Sequence, residues 1–133
     1  MLRITPNNIQ TLDDDQVFVF GSNAEGKHYG GAARLANEKF GAIMGQSFGL
    51  QGKSFGINSM SGWVDLGLDI LKFNLFALDN KHLDFLVTEI GCGIAGYEPK
   101  DVAPFFKNCL DMENVYLPQR FIDELTKSPC QDH

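Results

Sequence analysis

Basic residues are in short supply: 11 Lys and Arg against 17 Asp and Glu give a formal charge of -6. Such a balance excludes a surface built to neutralise long stretches of nucleic-acid phosphate, so no bulk nucleic-acid binding is expected. Cysteine is scarce as well. The three that occur, Cys92, Cys109 and Cys130, are widely spaced and include no C-x-x-C pair. Neither a disulfide framework nor a zinc site fits that spacing, and free thiols in a reducing compartment are the expectation. Nonpolar runs last only a handful of residues, and no basic segment followed by an apolar core opens the chain. These absences argue against a membrane span or secretory leader and for a cytoplasmic protein with no membrane partner. Repeats and low-complexity stretches are lacking too, and 133 residues fit a single domain, 1–133, able to bury a core without staples.

Glycine, by contrast, is plentiful: 14 residues, above the usual share of about 7%. Much of it falls in two loops that directly follow short apolar runs. GSNAEGKHYGGAA, Gly21 to Ala33, follows Val17-Phe18-Val19-Phe20, and GCGIAG, Gly91 to Gly96, follows Phe85-Leu86-Val87-Thr88-Glu89-Ile90. Backbone N–H groups approach an anion closely only where side chains are absent, and a helix N-terminus adds its dipole. Two such loops on adjacent parallel strands suit the diphosphate of a nucleotide derivative.

The remaining pattern is a βα alternation. Asn7 to Thr11 is expected to make a helical turn behind Pro6, and Asp13-Asp14-Asp15 to form a solvated turn before a strand at Gln16 to Phe20. A helix is predicted over Gly31 to Phe40, with Gly41 at its C-terminal cap. The glycine-punctuated stretch Ala42 to Gly56 predicts a hairpin or bent strand ending in Ser54 to Asn58. Further on come a helix from Val64 to Leu78, a strand at Asp84 to Ile90, and a helix opening at Pro99 with Val102, Phe105, Phe106, Cys109 and Leu110 inward. A strand at Val115 to Leu117, a helix from Gln119 to Lys127 and a frayed tail at Ser128 to His133 complete the chain. The fold class is α/β: a three-layer α/β/α sandwich around a mostly parallel mixed sheet.

Two familiar motifs fail on inspection. Gly91-x-Gly93-x-x-Gly96 matches the dinucleotide fingerprint but falls late in the chain and leaves Tyr97 and Glu98 before the next helix. Gly52-Lys53-Ser54 resembles the end of a P-loop, yet Ser47 stands where that motif needs glycine, and Lys53 reads as a solvent-facing charge. In the first loop, Gly21, Ser22 and Asn23 sit at a strand's carboxyl end, where a polar side chain meets either a ligand or its own turn. Lys27 and His28 offer cationic or donor groups beside Gly30 and Gly31. In the second, Gly91, Cys92, Gly93, Ile94, Ala95, Gly96 and Tyr97 form the candidate cradle. Cys92 lacks any partner base other than His28, so packing is its expected role rather than nucleophilic attack. Tyr97 and Phe48 either stack on a base or cap the core. Glu25, Glu89 and Glu98 are the carboxylates near the loops that can position water, which makes them the candidate catalytic residues. No metal-ligand spacing is present, and no cofactor is implied.

The segments VFVFGSNAEGKHYGGAARLANEKFGA and TEIGCGIAGYEPKDV together resemble the macrodomain family, the ADP-ribose-binding α/β/α fold, over about two thirds of the chain. The resemblance implies that Asn23, Gly30 and Gly31 border the distal ribose and that Gly91 to Tyr97 wrap the diphosphate. It implies binding ahead of catalysis. One hydrolase branch of the family uses an aspartate just past the I-G-C-G loop, where this chain has Ala95, and a lysine from which Lys53 is offset. Another uses Asn-Ala-Ala-Asn and an acid at the helix start, whereas here Gly-Ser-Asn-Ala stands and no acid lies between His28 and Asn37. The expected function is binding of ADP-ribose or a related nucleotide-diphosphate sugar, with hydrolysis of an ADP-ribose conjugate as its enzymatic extension. The alternatives are a protein-interaction module with a degenerate pocket and a Rossmann-like dinucleotide binder.

Overall fold

The computed structural model describes residues 2–127, so the Ser128 to His133 tail and Cys130 lie outside the described residues. Five strands form one mixed sheet: β1 (Gln16–Ser22), β2 (Gly49–Gln51), β3 (Ser54–Asn58), β4 (Asp84–Val87) and β5 (Val115–Tyr116), in spatial order β2-β3-β1-β4-β5. β3, β1, β4 and β5 run parallel, and only the edge strand β2 is antiparallel to its neighbour. Four helices accompany them: α1 (Gly31–Lys39), α2 (Trp63–Asp79), α3 (Pro99–Val102) and α4 (Gln119–Thr126), with a 3-10 segment at Ala103–Asp111.

The central strand explains the architecture. Val17, Phe18, Val19 and Phe20 are all buried, as expected of a parallel strand covered on both sides. Their alternation splits the core. Phe18 and Phe20 pack with Ala33, Ala36 and Phe40 of the α1 region. Val17 and Val19 join Phe55, Ile57, Phe85 and Val87 against Leu66, Ile70 and Phe73 of α2, Phe106 of the 3-10 segment and Phe121 of α4. Phe73 is the aromatic hub, its ring 5.2 Å from Phe55, 5.4 Å from Phe85 and 6.2 Å from Phe106.

Several local expectations are corrected. Asn7 to Thr11 makes no helical turn; instead the opening segment runs beside β5 through an Ile4–Leu117 bridge, with Thr5 N–H donating to Leu117 O at 2.8 Å. The helix expected from Pro99 stays α-helical for only four residues before tightening to 3-10 geometry. Pro104 stands at that transition and has no N–H to donate to the preceding turn. Lys53 is not a free surface charge, because its Nζ donates to Leu12 O at 3.2 Å and Asp13 O at 2.8 Å, tying down the turn before β1. Among the described residues, no helix is long and apolar enough to cross a membrane.

Connection order fixes where a site can form. The chain leaves β1 through α1, on one side of the sheet, to reach β3. It leaves β4 through α3 and the 3-10 segment, packed on the opposite side, to reach β5. The two connections diverge between the adjacent strands β1 and β4, which opens a crevice at their carboxyl ends.

Candidate functional site

A cleft of about 610 Å³ occupies this crevice. Its walls are parts of the first glycine loop (Gly21 to Asn23, Lys27, Tyr29 and Gly30), the start of α1 (Gly31 to Ala33), Ser59 and Met60 after β3, and the second glycine loop (Thr88 to Ala95). Gly30 and Gly93, 63 residues apart in sequence, border the same space.

Each loop presents backbone. Gly30 is the N-cap of α1 in extended conformation, without a side-chain cap and with no acid in the first turn. Gly31, Ala32 and Ala33, whose N–H groups precede the first intrahelical bond, line the cleft. In the second loop the turn is held internally: Cys92 N–H donates to Glu89 O at 3.1 Å, Gly96 N–H to Gly93 O at 3.0 Å and Tyr97 N–H to Gly91 O at 2.9 Å. The N–H groups of Gly93, Ile94 and Ala95 have no protein acceptor among the described residues. Unpaired backbone donors beside a helix N-terminus are the kind of arrangement that suits an anion.

The glycines of GCGIAG are not equivalent. Gly91 has φ +82, and a Cβ there would meet Tyr97, Leu66 and Val102 at 3.3–3.4 Å, so both conformation and packing demand glycine. Gly93 is outside the left-handed region, and a Cβ on it would meet nothing within 4 Å. The fold does not require glycine at 93. It leaves that position bare toward the cleft.

The polar residues of the first loop are largely committed to backbone groups of the protein. Ser22 Oγ donates to Ser47 O. Asn23 accepts from Lys27 N–H at 2.8 Å through Oδ1 and donates to Lys27 O at 2.9 Å through Nδ2, closing the turn. Both residues border the cleft, but Asn23 is spent on the turn and Ser22 on tying β1 to the segment before β2. Lys27 also borders it, with its ammonium 2.8 Å from Glu25, and each group of that exposed pair favours the other's charge. His28, a candidate donor group beside the glycines, turns inward instead. It is 1% exposed, edge-on to Phe20 at 5.2 Å, with Nε2 2.9 Å from Ile43 O. Since a carbonyl only accepts, Nε2 carries the proton, and the buried Nδ1 has no partner among the described residues.

The three candidate carboxylates separate. Glu25 points to solvent beside Lys27 and lies outside the cleft lining. Glu98 opens α3, its N–H donating to Asp101 Oδ2 at 3.1 Å and its carboxylate 3.3 Å from Lys100, and it too lies outside the lining. Only Glu89 borders the cleft. Arg120 of α4 grips it with two bonds, Nε to Oε2 at 2.6 Å and Nη2 to Oε1 at 2.7 Å, holding the carboxyl below its ordinary range. Cys92, also on the wall, has its thiol pushed up to about 11 by burial and then by the neighbouring Glu89 charge, which makes it a poor nucleophile. Cys109, buried among the α2 and 3-10 residues, is pushed to about 12 by burial.

Gly96 and Tyr97 fall just behind the lining. Tyr97 packs on Trp63 at 5.3 Å, and Phe48 on Phe55 at 5.2 Å, so both aromatics cap the core. The aromatic that does border the cleft is Tyr29, 70% exposed, together with Ser59, Met60 and Thr88. Sequence reasoning passed over these four. Ser59 and Met60 follow a third parallel strand, and residues 27 to 29 alternate exposed, buried, exposed in an extended segment, so His28 points in and Tyr29 out.

The fold and cleft define an α/β protein with a backbone-lined crevice at the point where its connections diverge. No family model, curated protein or solved structure matches the chain.

Proposed function

We propose that this chain is a macrodomain-like three-layer α/β/α protein that binds ADP-ribose, or a related nucleotide-diphosphate sugar, in the cleft between β1 and β4. The observation that carries the reading is the convergence of both glycine loops on one space, with open N–H donors on each side. Recognition of a diphosphate by main-chain amides and a helix dipole needs little basic side-chain charge, which accommodates an acidic protein. The volume lies within the roughly 300–1,000 Å³ typical of small-molecule sites. Tyr29 supplies an exposed ring for a base or sugar face.

Binding takes precedence over catalysis in this reading. Of the three carboxylates only Glu89 touches the cleft, and it is ionised and doubly hydrogen-bonded to Arg120, a poor arrangement for taking a proton from water. Calorimetric titration with ADP-ribose tests the proposal: saturable heat with one site per chain is expected, and its absence at millimolar ligand would end it. A turnover assay on an ADP-ribosylated protein, comparing wild type with Glu89→Gln, tests the enzymatic extension. Full activity in that variant would remove carboxylate assistance from the scheme.

A further inference from the structure

Helix α2 carries apolar residues on two faces, and the core covers only one of them. Leu66, Ile70, Phe73 and Ala77 are fully buried. On the opposite face Val64 (69% exposed), Leu68 (51%), Leu71 (48%), Leu75 (65%) and Leu78 (48%) follow one another at intervals of four, three, four and three residues. That is the 3.5-residue spacing of a helix–helix seam, carried over two heptads. An apolar stripe on a helix normally packs against a partner surface. Scattered exposed leucines need no explanation, whereas five in one stripe do.

We propose that this stripe is the contact between two copies of the chain, paired antiparallel about a two-fold axis that passes between Leu68 and Leu71. Self-complementarity is the reason for choosing a second copy. In this register Val64 meets Leu75 of the second copy and Leu68 meets its Leu71, and each pairing occurs twice, as an isologous contact requires. The charges flanking the stripe are Asp65, Lys72 and Asp79, one heptad apart. Here Asp65 lies beside Lys72 of the second copy and Lys72 beside its Asp65, two attractive pairs. Shifting the register by one heptad sets Lys72 against Lys72 and Asp65 against Asp79, which repels. Among the described residues neither Asp65 nor Lys72 has an ion-pair partner within its own chain; the Lys72 ammonium sits 5.8 Å over the Phe48 ring. The stripe offers on the order of 500 Å² per copy, about 1,000 Å² for the pair, which reaches the size at which specific interfaces begin. Because the chain's own fold already holds α2 in place, pairing adds little ordering cost.

Sedimentation equilibrium of the full chain over a concentration series tests the pairing. Wild type is expected to show a monomer–dimer equilibrium, and Leu68→Glu/Leu75→Glu to raise the dissociation constant roughly a hundredfold or more while melting within a few degrees of wild type. Lys72→Asp is expected to weaken the dimer, and Asp65→Lys/Lys72→Asp to restore it. A wild-type monomer at millimolar concentration would overturn the proposal, as would a dimer indifferent to the double glutamate variant. A monomer that sediments with anionic phospholipid vesicles, and loses this property in Leu68→Glu/Leu75→Glu, would also overturn it, reassigning the stripe to a bilayer surface. A dimer sensitive to the glutamates but blind to the charge exchange would refute the antiparallel register.

Discussion

A valine at position 93 separates a ligand cradle from a loop that merely packs. The new Cβ enters open space and the backbone is not left-handed, so neither strain nor a clash is introduced, and the melting temperature of Gly93→Val should stay within a few degrees of wild type. The isopropyl group does, however, add bulk to the cleft wall within the turn that carries the unpaired N–H groups of Gly93, Ile94 and Ala95. Hydrogen bonds to a charged phosphate are worth about 1.5–3 kcal/mol each, so losing two weakens ADP-ribose binding by about 3–6 kcal/mol, two to four powers of ten in Kd. Calorimetry on wild type and variant reads this directly. Gly91→Val is the contrast: with φ +82 and neighbours already at 3.3–3.4 Å, it should lower the melting temperature by itself. Undiminished affinity in a folded Gly93→Val would refute the assignment of the second loop to the anion. The choice of variant matters, because Gly31, at φ +57, would be strained by any side chain, and a loss of binding there would be ambiguous.

Arg120→Gln leaves the Glu89 charge unmatched on the cleft wall and should weaken ADP-ribose binding about fivefold at low salt, with Glu89→Gln/Arg120→Gln recovering it; a double variant as weak as the single would instead make Arg120 a direct ligand contact. Because the Glu89 carboxyl is lowered in the folded state, the pair's contribution to stability is present above the ordinary glutamate range and lost as pH falls through the lowered value, so the acid limb of a denaturation series should shrink in Arg120→Gln. Cys92, with its thiol near 11, should alkylate slowly at neutral pH and faster as pH rises toward that value, followed peptide by peptide in a mass spectrometer; rapid labelling at pH 7 would contradict its burial. Phe73→Ala empties the aromatic hub between three rings and should cost about 3–5 kcal/mol in chemical denaturation, with a loss under 1 kcal/mol counting against that packing.

Much of the scaffold could be read from the residues. Unbroken burial of Val17 to Phe20 follows from four apolar residues in a row, and the ends of α1 and α2 fall within a residue of their glycine and Asp-Asn boundaries because those residues stop or start helices for local reasons. The 3-10 segment was hidden because Val102, Phe106 and Cys109 recur at a spacing that suits both helix types, and only Pro104 marks the difference. At the cleft, the shared position of the two loops was legible, since each glycine run directly follows one of two adjacent parallel strands. Side-chain roles were not: His28 and Glu98 are polar residues beside the loops, yet one is buried against Phe20 and the other is spent on starting α3. The Glu89–Arg120 pair joins residues 31 apart from β4's loop and α4, a partnership no local pattern announces.

The cleft draws its walls from behind three different strands, so no contiguous stretch of chain contains it and it vanishes when the sheet comes apart. A molecule bound there would hold β1, β3 and β4 together at once, and its free energy of association would be added to the whole fold rather than to one loop. At a hundred times its dissociation constant that amounts to about 2.7 kcal/mol of added resistance to unfolding. Heating the protein with one candidate nucleotide after another therefore ranks them by affinity, with no label and no enzyme assay, whichever of them the cell supplies.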